Sequence, residues 1–397
     1  MAKKTRKAGF APRAPHHQRV ALALQGGGAL GAYQAGVYEA LHHARYGIDW
    51  VSGVSIGAIN AAIIAGNAPA ERVARLRQFW ELVSTNPGWV EPPVPDLLRD
   101  VYTEFSSNLT VVAGRPGFFE PRVPPPWLMP PKLAMVTSYY DTSPLRATLE
   151  QAIDFERINR DGVKISVGAV EVETGNYVYF ANYPTNRSDT VQVRFGPEHV
   201  MASGALPPGF PPVEIGGKWY WDGGIVSNTP LNHLLAERPR TGTLAFQVDL
   251  FSARGPRPGN LADVMERQKD ISYSSRTREM TKVPAKLHGI RCAIADVLAM
   301  LPAARQNHPS VRRLRKLTAS CVYDIVHLIY RSKYDESHSK DYEFSLASME
   351  SRWTAGAEDA LTALARPDWL KPPGPADSVR VHDPVRDAQA AAAGRKG

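Results

Sequence analysis

A serine between two glycines is the first feature of the sequence that could do chemistry. Gly53-Val54-Ser55-Ile56-Gly57 joins a strand-like run, IDWVSGV, to a helix-like run, IGAINAAIIAG. A nucleophile on such a sharp turn needs small neighbours, and the helix N-terminus that follows favours developing negative charge. Ser55 is therefore a candidate nucleophile, with Gly53 and Gly57 making room for it. Because Gly and Ser are common residues, an ordinary turn between a strand and a helix is the alternative.

A glycine cluster, GGGALG at residues 26–31, follows the apolar run VALAL. Successive glycines let backbone N–H groups converge on an anion, which could be a tetrahedral oxyanion or a pyrophosphate. The spacing G-x-G-x-x-G, completed by Gly31, also fits a dinucleotide fingerprint, which needs an acidic residue at the end of the second strand. Asp49 begins that strand and Ser55 follows its end, so nucleotide binding is the weaker alternative. The favoured reading is an oxyanion hole formed by Gly26, Gly27 and Gly28.

An aspartate far downstream could serve as the base for this serine. Asp222 is followed by Gly223 and Gly224, and this short pattern alone is equally typical of a plain turn. A nucleophilic serine needs a base within hydrogen-bond reach, and a carboxylate can serve if its site keeps it ionised and dry. Histidine is the usual alternative base, although none of the downstream candidates lies in a glycine-flanked turn. These candidates are His233, His288, His308 and His327.

The three segments together resemble patatin-like phospholipases, a group of lipid acyl hydrolases. The resemblance rests on LQGGGALGAYQAGVYEAL, GVSIGAINAA and ASGALPPGFPPVEI…WYWDGGIVSNTPL, and it runs from about residue 20 to about residue 250. It implies a three-layer α/β/α sandwich and a catalytic dyad, with Ser55 as nucleophile and Asp222 as base. It also implies that the glycine cluster forms the oxyanion hole.

One position departs from the pattern of this family. Many members carry Arg or Lys inside the glycine motif, where this chain has Leu30. The backbone donors survive this change, but a positive charge near an oxyanion or a phosphate does not. The choice between a phospholipid and another ester, such as a storage polyester or an acylglycerol, therefore stays open.

Alternating strand-like and helix-like runs predict an α/β fold with a mostly parallel sheet covered on both faces. We expect a basic flexible arm at 1–18 and a catalytic domain at 19–255. A helical C-terminal extension, like that of one bacterial subgroup of the family, is expected at 256–365, followed by a disordered tail at 366–397. Within the catalytic domain, residues 84–132 are rich in Pro and aromatic residues. They form either a lid or binding loop, or a surface excursion.

Composition narrows the classes of protein that remain. The 397 residues carry a net charge of +8 and two cysteines, so no disulfide framework is implied. No run approaches the roughly 20 apolar residues that span a bilayer. We expect a cytoplasmic enzyme that acts on a lipid or other ester, needs no metal or cofactor and binds no nucleic acid. A basic helical pattern between Arg305 and Lys333 predicts either peripheral contact with an anionic membrane or a helix that covers the core.

Overall fold

The computed structural model describes residues 13–85, 110, 112–128, 136–160, 162–238, 240–275, 277–318, 321–331, 340–374 and 377–393. The strands are β1 (Arg19–Leu24), β2 (Trp50–Val54), β3 (Glu120–Pro121), β4 (Tyr140–Asp141), β5 (Lys164–Glu171), β6 (Tyr177–Ala181), β7 (Thr190–Gln192), β8 (Val213–Ile215), β9 (Lys218–Asp222), β10 (Thr243–Asp249), β11 (Tyr323–Ile329) and β12 (Val379–His382). The α-helices are α1 (Ala32–His43), α2 (Ile56–Gly66), α3 (Arg72–Ser84), α4 (Ser143–Ala152), α5 (Phe155–Arg160), α6 (Pro197–Ser203), α7 (Leu231–Ala236), α8 (Leu261–Tyr273), α9 (Thr277–Ala299), α10 (Pro309–Arg315), α11 (Leu346–Leu364) and α12 (Pro384–Ala393).

The central sheet has the strand order β12-β11-β10-β1-β2-β5-β6-β7. From β12 to β5 all neighbours pair in parallel, while β6 and β9 both pair antiparallel with β5. The predicted α/β fold with a mostly parallel sheet is therefore confirmed. Because parallel strands place their carboxyl ends at the same edge, the turns after β1 and β2 lie side by side.

Side chains that alternate along β1 show that the sheet is covered on both faces. Val20, Leu22 and Leu24 belong to the main core, which they share with α1, α2 and α3. Ala21 and Ala23 face the other way and pack with Leu234 of α7. This alternation has the period of two expected for a buried strand, and it produces the three layers.

The C-terminal part of the chain completes the sheet instead of forming a purely helical extension. Strand β11 pairs in parallel with β10, and β12 pairs with β11. The helical pattern predicted between Arg305 and Lys333 is wrong beyond Arg315, where α10 ends. The run YDIVHLI is rich in β-branched and aromatic residues, and burial within the sheet outweighs its chance match to helical spacing.

Helix α11 is joined to the catalytic core by an unusually close crossing with α1. A Cβ atom on Gly36 of α1 would lie 1.9 Å from the carbonyl oxygen of Trp353, and one on Gly356 of α11 would lie 2.0 Å from that of Tyr33. Two glycines thus let the backbones of the helices touch. The region at 256–365 packs as part of the same core.

Both ends of the described chain are packed, which differs from the prediction. The arm expected at 1–18 is described from Arg13, and His17 is buried against Asp324 of β11. The tail expected to be disordered at 366–397 contains β12 and α12. Strand pairing with β11 supplies the backbone hydrogen bonds that its Ala- and Pro-rich composition did not suggest.

The insertion predicted at 84–132 is described in part. Phe118 and Phe119 are buried in the main core, whereas the segment at 86–109 lies outside the described residues. Among the helices that the structure describes, none is both long enough and apolar enough to cross a bilayer.

Candidate active site

Ser55 lies at the turn between β2 and α2 with a backbone conformation that L-residues rarely adopt. Its φ is +55° and it immediately precedes α2. Its amide donates to the carbonyl and the hydroxyl oxygen of Ser203, each at 3.1 Å, and the Ser203 hydroxyl donates to the Gly168 carbonyl at 2.6 Å. Such strained positions persist where the surroundings fix them, and they are common at functional sites.

Gly53 and Gly57 create the space in which this turn fits. A Cβ atom on Gly53 would lie 2.1 Å from the Gly57 carbonyl oxygen. A Cβ atom on Gly57 would lie 2.4 Å from the carbonyl oxygen of Leu24, at the end of β1. The two glycines therefore allow the start of α2 to pack directly on two strand ends, as the sequence spacing predicts.

Asp222 is brought beside Ser55 from the end of β9. Its side chain is only 2% exposed, and its Oδ1 accepts a hydrogen bond from the Gly224 amide at 2.7 Å. Burial raises the pKa of the Asp222 carboxyl to about 7, while hydrogen bonds from the Ser55 hydroxyl and the Gly224 amide limit the rise. The predicted serine and aspartate thus line one cavity although they are 167 positions apart, and Gly223 and Gly224 form the turn at this end of β9.

The glycine cluster lies against the same serine, with one difference from the prediction. A Cβ atom on Gly26 would lie 3.0 Å from the Ser55 Cβ. The Gly26 amide donates to the Asn228 carbonyl at 3.2 Å, so it is already engaged, and the oxyanion hole of Gly26, Gly27 and Gly28 stays a prediction. The Gly27 and Gly28 amides have no hydrogen-bond partner among the described residues, and both glycines line the cavity beside Ser55.

Two amide side chains that the sequence reasoning missed hold the glycine cluster in place. Asn228 donates from Nδ2 to the Gly26 carbonyl at 3.0 Å, which completes a two-way link between the glycine cluster and the turn after Asp222. The fully buried Gln25 donates to the Thr229 hydroxyl at 2.8 Å. Both residues stand inside the segments that carry the family resemblance, so their position beside the glycines was the available signal.

A cavity of about 100 Å³ opens beside Ser55 and is mostly apolar. Part of its wall comes from the insertion and part from the region beyond residue 256. The aromatic residues of this wall are Phe118, Phe119, Phe210, Phe251, Tyr273, Tyr342 and Phe344. The aromatic wall is therefore assembled from five separate stretches of the chain, which sequence patterns alone do not place together.

The charge expected inside the glycine motif is supplied from elsewhere. Leu30 is fully buried in the main core, so it does not reach the cavity. Lys269 of α8 lines the cavity instead, and its ammonium group pairs with the carboxylate of Asp341. The carbonyl oxygen of Asp341 in turn accepts from the Ala29 amide at 2.8 Å. The C-terminal region thus brings both a cation and a backbone contact to the glycine cluster.

The histidines considered as alternative bases lie away from this serine. No histidine among the described residues lines the cavity beside Ser55. His233 contacts the Tyr183 hydroxyl at 2.9 Å, and His327 contacts Gln247 at 3.0 Å. His288 donates to the Cys321 carbonyl at 2.7 Å, and His308 caps α10.

A group of possible metal ligands lies elsewhere in the described residues. His16, His17 and Asp324 approach one another closely enough to share an ion. Both carboxylate oxygens of Asp324 accept from the Arg380 guanidinium, at 2.7 and 2.8 Å, so this carboxylate is already neutralised by a protein cation. The cluster is remote from Ser55 in the sheet, since Asp324 lies near the start of β11.

An α/β sandwich with a serine at a strand-to-helix turn and a glycine cluster beside it defines a class of serine hydrolases. The chain belongs to the patatin-like phospholipase family, whose profile matches residues 22–235. A second family profile, described as patatin phospholipase, matches residues 271–376. The two matches together include the turn of Ser55, the catalytic core and the C-terminal region that closes the cavity.

Relatives with assigned names align with only part of the chain. Patatin-like phospholipase domain-containing protein 6 from mouse and from human is 36% identical over 89 residues, which are 22% of this chain and 6% of each relative. VipD from Legionella pneumophila has a TM-score of 0.37 at 15% identity, over 89% of this chain and 67% of VipD. ExoU in complex with SpcU from Pseudomonas aeruginosa has a TM-score of 0.26 at 16% identity, over 76% of this chain and 59% of that one. Likenesses this distant carry no argument about activity.

Proposed function

We propose that this protein is a serine acyl-ester hydrolase that acts on lipids, with Ser55 as nucleophile and Asp222 as its base. The observation that supports it most is that the Ser55 side chain shares a cavity with a carboxylate that is almost completely buried, and lies close enough to favour the charged form of that carboxylate. Two backbone amides without a partner among the described residues, those of Gly27 and Gly28, lie on the same cavity. A nucleophile, a base and donors for an oxyanion are thus within one small space.

In the first step Ser55 Oγ attacks the ester carbonyl carbon while Asp222 takes the hydroxyl proton. The carbonyl electron pair moves to oxygen, and the Gly27 and Gly28 amides donate to this oxyanion. Losing one such donor typically lowers the rate by a factor on the order of 10²–10³. When the oxyanion collapses, the bond to the alcohol breaks, and the proton held by Asp222 passes to the leaving alkoxide. An acyl-serine remains.

In the second step water releases the acyl group. Asp222 accepts a proton from the water molecule, whose oxygen attacks the acyl carbon of the acyl-serine. The same two amides stabilise the second oxyanion. Its collapse breaks the bond to Ser55 Oγ, which recovers the proton from Asp222, and the carboxylic acid leaves. Each step returns the carboxylate to its charged form, so one base serves both.

The cavity wall supports an apolar acyl chain as one part of the substrate. A second cavity of about 310 Å³ shares Phe119, Phe210 and Tyr342 with the first, so the apolar surface continues beyond Ser55. Lys269 also lines the cavity, but its ammonium group is paired with the carboxylate of Asp341, which lines the same cavity. The apolar wall therefore supports an acyl chain, and it fits a phospholipid, a storage polyester and an acylglycerol alike. A substrate panel decides between them, because a phospholipase must hydrolyse phosphatidylcholine or phosphatidylglycerol faster than a triacylglycerol.

Substitution of the serine tests the proposal directly. We expect Ser55→Ala to lower the turnover of a chromogenic short-chain ester by on the order of 10⁴-fold or more, and to abolish labelling by a fluorophosphonate probe. Ser310→Ala, at an exposed position on α10, is the matched control and should leave both unchanged. Unchanged turnover by Ser55→Ala would end the proposal.

A second pair of variants tests the base. Asp222→Asn should lower turnover by about 10²–10⁴-fold, because the general base is lost. His288→Ala and His327→Ala should retain activity, since neither side chain lines the cavity. If Asp222→Asn stayed active while one of these histidine variants lost activity, a triad would replace the dyad.

We also propose that the mouth of the site rests on a lipid surface. Helix α8 has no buried residue; its Leu261 is 74% exposed, and Val264 and Met265 are 48% and 49% exposed. Met265 and the exposed Ile225 line one surface depression together with Lys269. Val264→Ser with Met265→Ser should reduce flotation with liposomes, while leaving hydrolysis of a water-soluble ester intact. Equal flotation of this variant and the unchanged protein would contradict the contact.

A further inference from the structure

A large groove with several charged side chains in its wall lies apart from Ser55, on the face of the sheet that α7 covers. Its volume is about 1130 Å³, and it runs between the loop at 184–189, the segment that follows α7, and α9. Neither Ser55 nor Asp222 lines it. A space of this size is comparable to the cavities that hold small organic ligands.

Arginine side chains give this groove a net positive charge. Arg238, Arg240 and Arg291 all line it, and none of them has an ion pair or a side-chain hydrogen bond among the described residues. They are close enough to affect one another, because burial and then the charges of Arg291 and Arg238 lower the pKa of the Arg240 guanidinium. Two carboxylates also line the groove: Asp189 is paired with Arg187, and Glu237, which precedes Arg238, is buried. With Arg187 included, four arginines face these two carboxylates, so the lining keeps a net positive charge.

A buried histidine in this groove has a ring nitrogen that no protein group satisfies. His288 of α9 is 2% exposed, and its Nε2 lies 2.7 Å from the Cys321 carbonyl. Since a carbonyl only accepts, Nε2 carries the proton, and Nδ1 is left without a partner. Burial, opposed by the bond to Cys321 and aided by Arg240 and Arg291, lowers the pKa of this imidazole. An unsatisfied buried polar atom usually indicates a missing partner.

We propose that this groove binds a phosphate-bearing ligand, with the phosphate held by Arg240, Arg291 and His288. A guanidinium presents its donors in a planar fork that matches phosphate oxygens, and a dianion offsets charges that the protein leaves uncompensated. A proton from solvent on His288 Nδ1 would add a further donor once the anion is present. A carboxylate ligand carries one negative charge, and one guanidinium is enough to bind both of its oxygens. It therefore matches two guanidinium groups less well than a phosphate does.

The organic part of the ligand has room along the rest of the groove. Tyr177 and Tyr179 form an aromatic wall, and the volume exceeds that of a phosphate group many times over. Ser227 lines the groove one residue before Asn228, which holds the Gly26 carbonyl beside Ser55. The groove therefore reaches the rear of the turn that supports the proposed active site.

Calorimetric titration in phosphate-free buffer tests the site. All proteins carry Ser55→Ala, so hydrolysis plays no part and the outcome does not depend on the proposed catalytic role. The probes are glycerol 3-phosphate and pyrophosphate, followed by vesicles of phosphatidylcholine with and without phosphatidic acid. Saturable binding of the soluble probes identifies a soluble phosphoester as the ligand class. Binding of the phosphatidic acid vesicles alone identifies a lipid headgroup.

The decisive comparison removes two charges from the groove or from elsewhere. Arg240→Gln with Arg291→Gln should weaken the binding by about tenfold or more, because hydrogen bonds to charged groups are lost. Arg312→Gln with Arg313→Gln removes the same charge from exposed positions on α10, and it should bind like the parent. Arg291→Lys keeps the charge but loses the planar set of donors, so it should lose less affinity than the double variant. It keeps the test valid if the double variant misfolds.

Two results would overturn the proposal. The first is the absence of saturable binding of every probe by the parent protein. The second is equal affinity of the groove variant and the α10 variant, because general electrostatic attraction would then explain the binding. Neither result bears on Ser55, since ester turnover is measured in a separate assay on the protein that keeps its serine.

Discussion

The carboxyl group of Asp222, the proposed base, lies in a position that disfavours its own charge. It accepts a hydrogen bond from the Gly224 amide, and the nearby Ser55 hydroxyl also favours its charged form, yet burial raises its pKa to about 7. A base is most effective when its pKa lies near the working pH, because it is then both charged and able to hold a proton. The burial that weakens Asp222 as an acid therefore suits it to the proposed proton transfer.

The pH dependence of catalysis follows from this pKa. Ser55 can lose its proton only to an ionised Asp222, so kcat/KM for a soluble ester should rise with pH and reach half its plateau near pH 7. A profile measured between pH 5 and pH 9, on an ester whose own hydrolysis is subtracted, checks this. A plateau that already begins near pH 5 would show that the carboxyl titrates like an exposed one.

The raised pKa that suits Asp222 to the proposed proton transfer also lowers the stability of the fold at neutral pH. In the unfolded chain an aspartate titrates near about 3.9. The folded value is higher, so the stabilisation from the protonated form is complete below pH 4 and is lost as the pH rises through about 7. Asp222→Asn stays neutral throughout, and it should gain up to a few kcal/mol over the parent protein between pH 4 and pH 8.

Chemical denaturation at several pH values measures this gain. Asp296→Asn on α9, where the side chain is exposed, is the matched control and should show no such trend. If Asp222→Asn is less stable than the parent at pH 8, the hydrogen bonds of the carboxylate outweigh the burial of its charge.

Single residues also show how far sequence reasoning extends. The residue types and spacing around Ser55 and Asp222 predict both as a candidate nucleophile and base, because a strained turn needs glycines and a nucleophile needs a base. The engaged amide of Gly26 could not be predicted, since its partner Asn228 arrives from 202 positions away. The position of Lys269 could not be predicted either, because no local pattern indicates that a residue of α8 lines the cavity.

At the scale of elements, two glycines set how closely α2 can approach β1. Gly57→Ala would place a methyl group 2.4 Å from the Leu24 carbonyl oxygen. This oxygen lies at the end of β1 within the sheet, so the backbone cannot easily move to relieve the clash. We expect a loss of about 1–3 kcal/mol or more in the free energy of unfolding, together with loss of ester turnover as the turn of Ser55 shifts. Denaturation followed by circular dichroism measures the first quantity.

Gly289→Ala is the contrasting variant for this prediction. Gly289 lies within α9, and a Cβ atom there would have Ser378 Oγ as its nearest neighbour, at 3.4 Å. Alanine favours a helix over glycine by about 1 kcal/mol, so this variant should be as stable as the parent or slightly more so. Equal effects of Gly57→Ala and Gly289→Ala would contradict the packing argument.

The elements that flank the turn of Ser55 could be predicted from the sequence, whereas strand β11, far along the chain, could not. Helix α2 covers the residues IGAINAAIIAG because apolar, uncharged helices suit a buried layer. Strand β11 was mistaken for a helix, because a short apolar run satisfies both spacings by chance. Only its parallel pairing with β10, a contact over some 80 positions, decides between the two.

At the scale of the whole molecule, one carboxylate ties together three distant parts of the chain. Asp324 of β11 accepts from His17 near the start of the described residues and from Arg380 and His382 of β12. Burial alone would raise the pKa of this carboxyl, but hydrogen bonds from His17, His382 and Arg380 outweigh it and hold the pKa well below its usual value. The ionised carboxylate of Asp324 therefore stabilises the fold at neutral pH.

Removing this charge should destabilise the whole fold. Asp324→Asn leaves the Arg380 guanidinium without its buried partner, which typically costs about 3–5 kcal/mol at pH 7. Since the folded pKa is lowered, the contribution is present above about pH 4 and is lost as the pH falls below it. The difference between parent and variant, measured by urea denaturation, should therefore shrink in acid.

Asp383→Asn provides the control for this experiment. Asp383 pairs more loosely with Arg331 and Arg386, at 3.6 and 4.0 Å, and it is partly exposed. Such pairs contribute less than about 1 kcal/mol. Equal losses of stability in Asp324→Asn and Asp383→Asn would contradict the stabilising role assigned to Asp324.

The layered architecture was predictable, whereas the limits of the folded body were not. Alternating strands and helices indicate an α/β sandwich regardless of detail. Composition suggested a flexible arm and a disordered tail, but His17 and β12 are held by contacts that only the folded chain creates. Local sequence reports propensity, and these segments take their order from distant partners.

The close crossing of α1 with α11 has a consequence for the order of events during synthesis. The ribosome delivers Ser55 and Asp222 well before Trp353 and Gly356, which α1 needs as its covering. At about 5–20 residues per second, the interval between Asp222 and Gly356 lasts on the order of ten seconds. During that interval the nascent chain exposes the apolar surface of α1 and an unfinished cavity. Chaperone binding to this translation intermediate, and a delay between emergence of the serine and first hydrolysis, are the expected results.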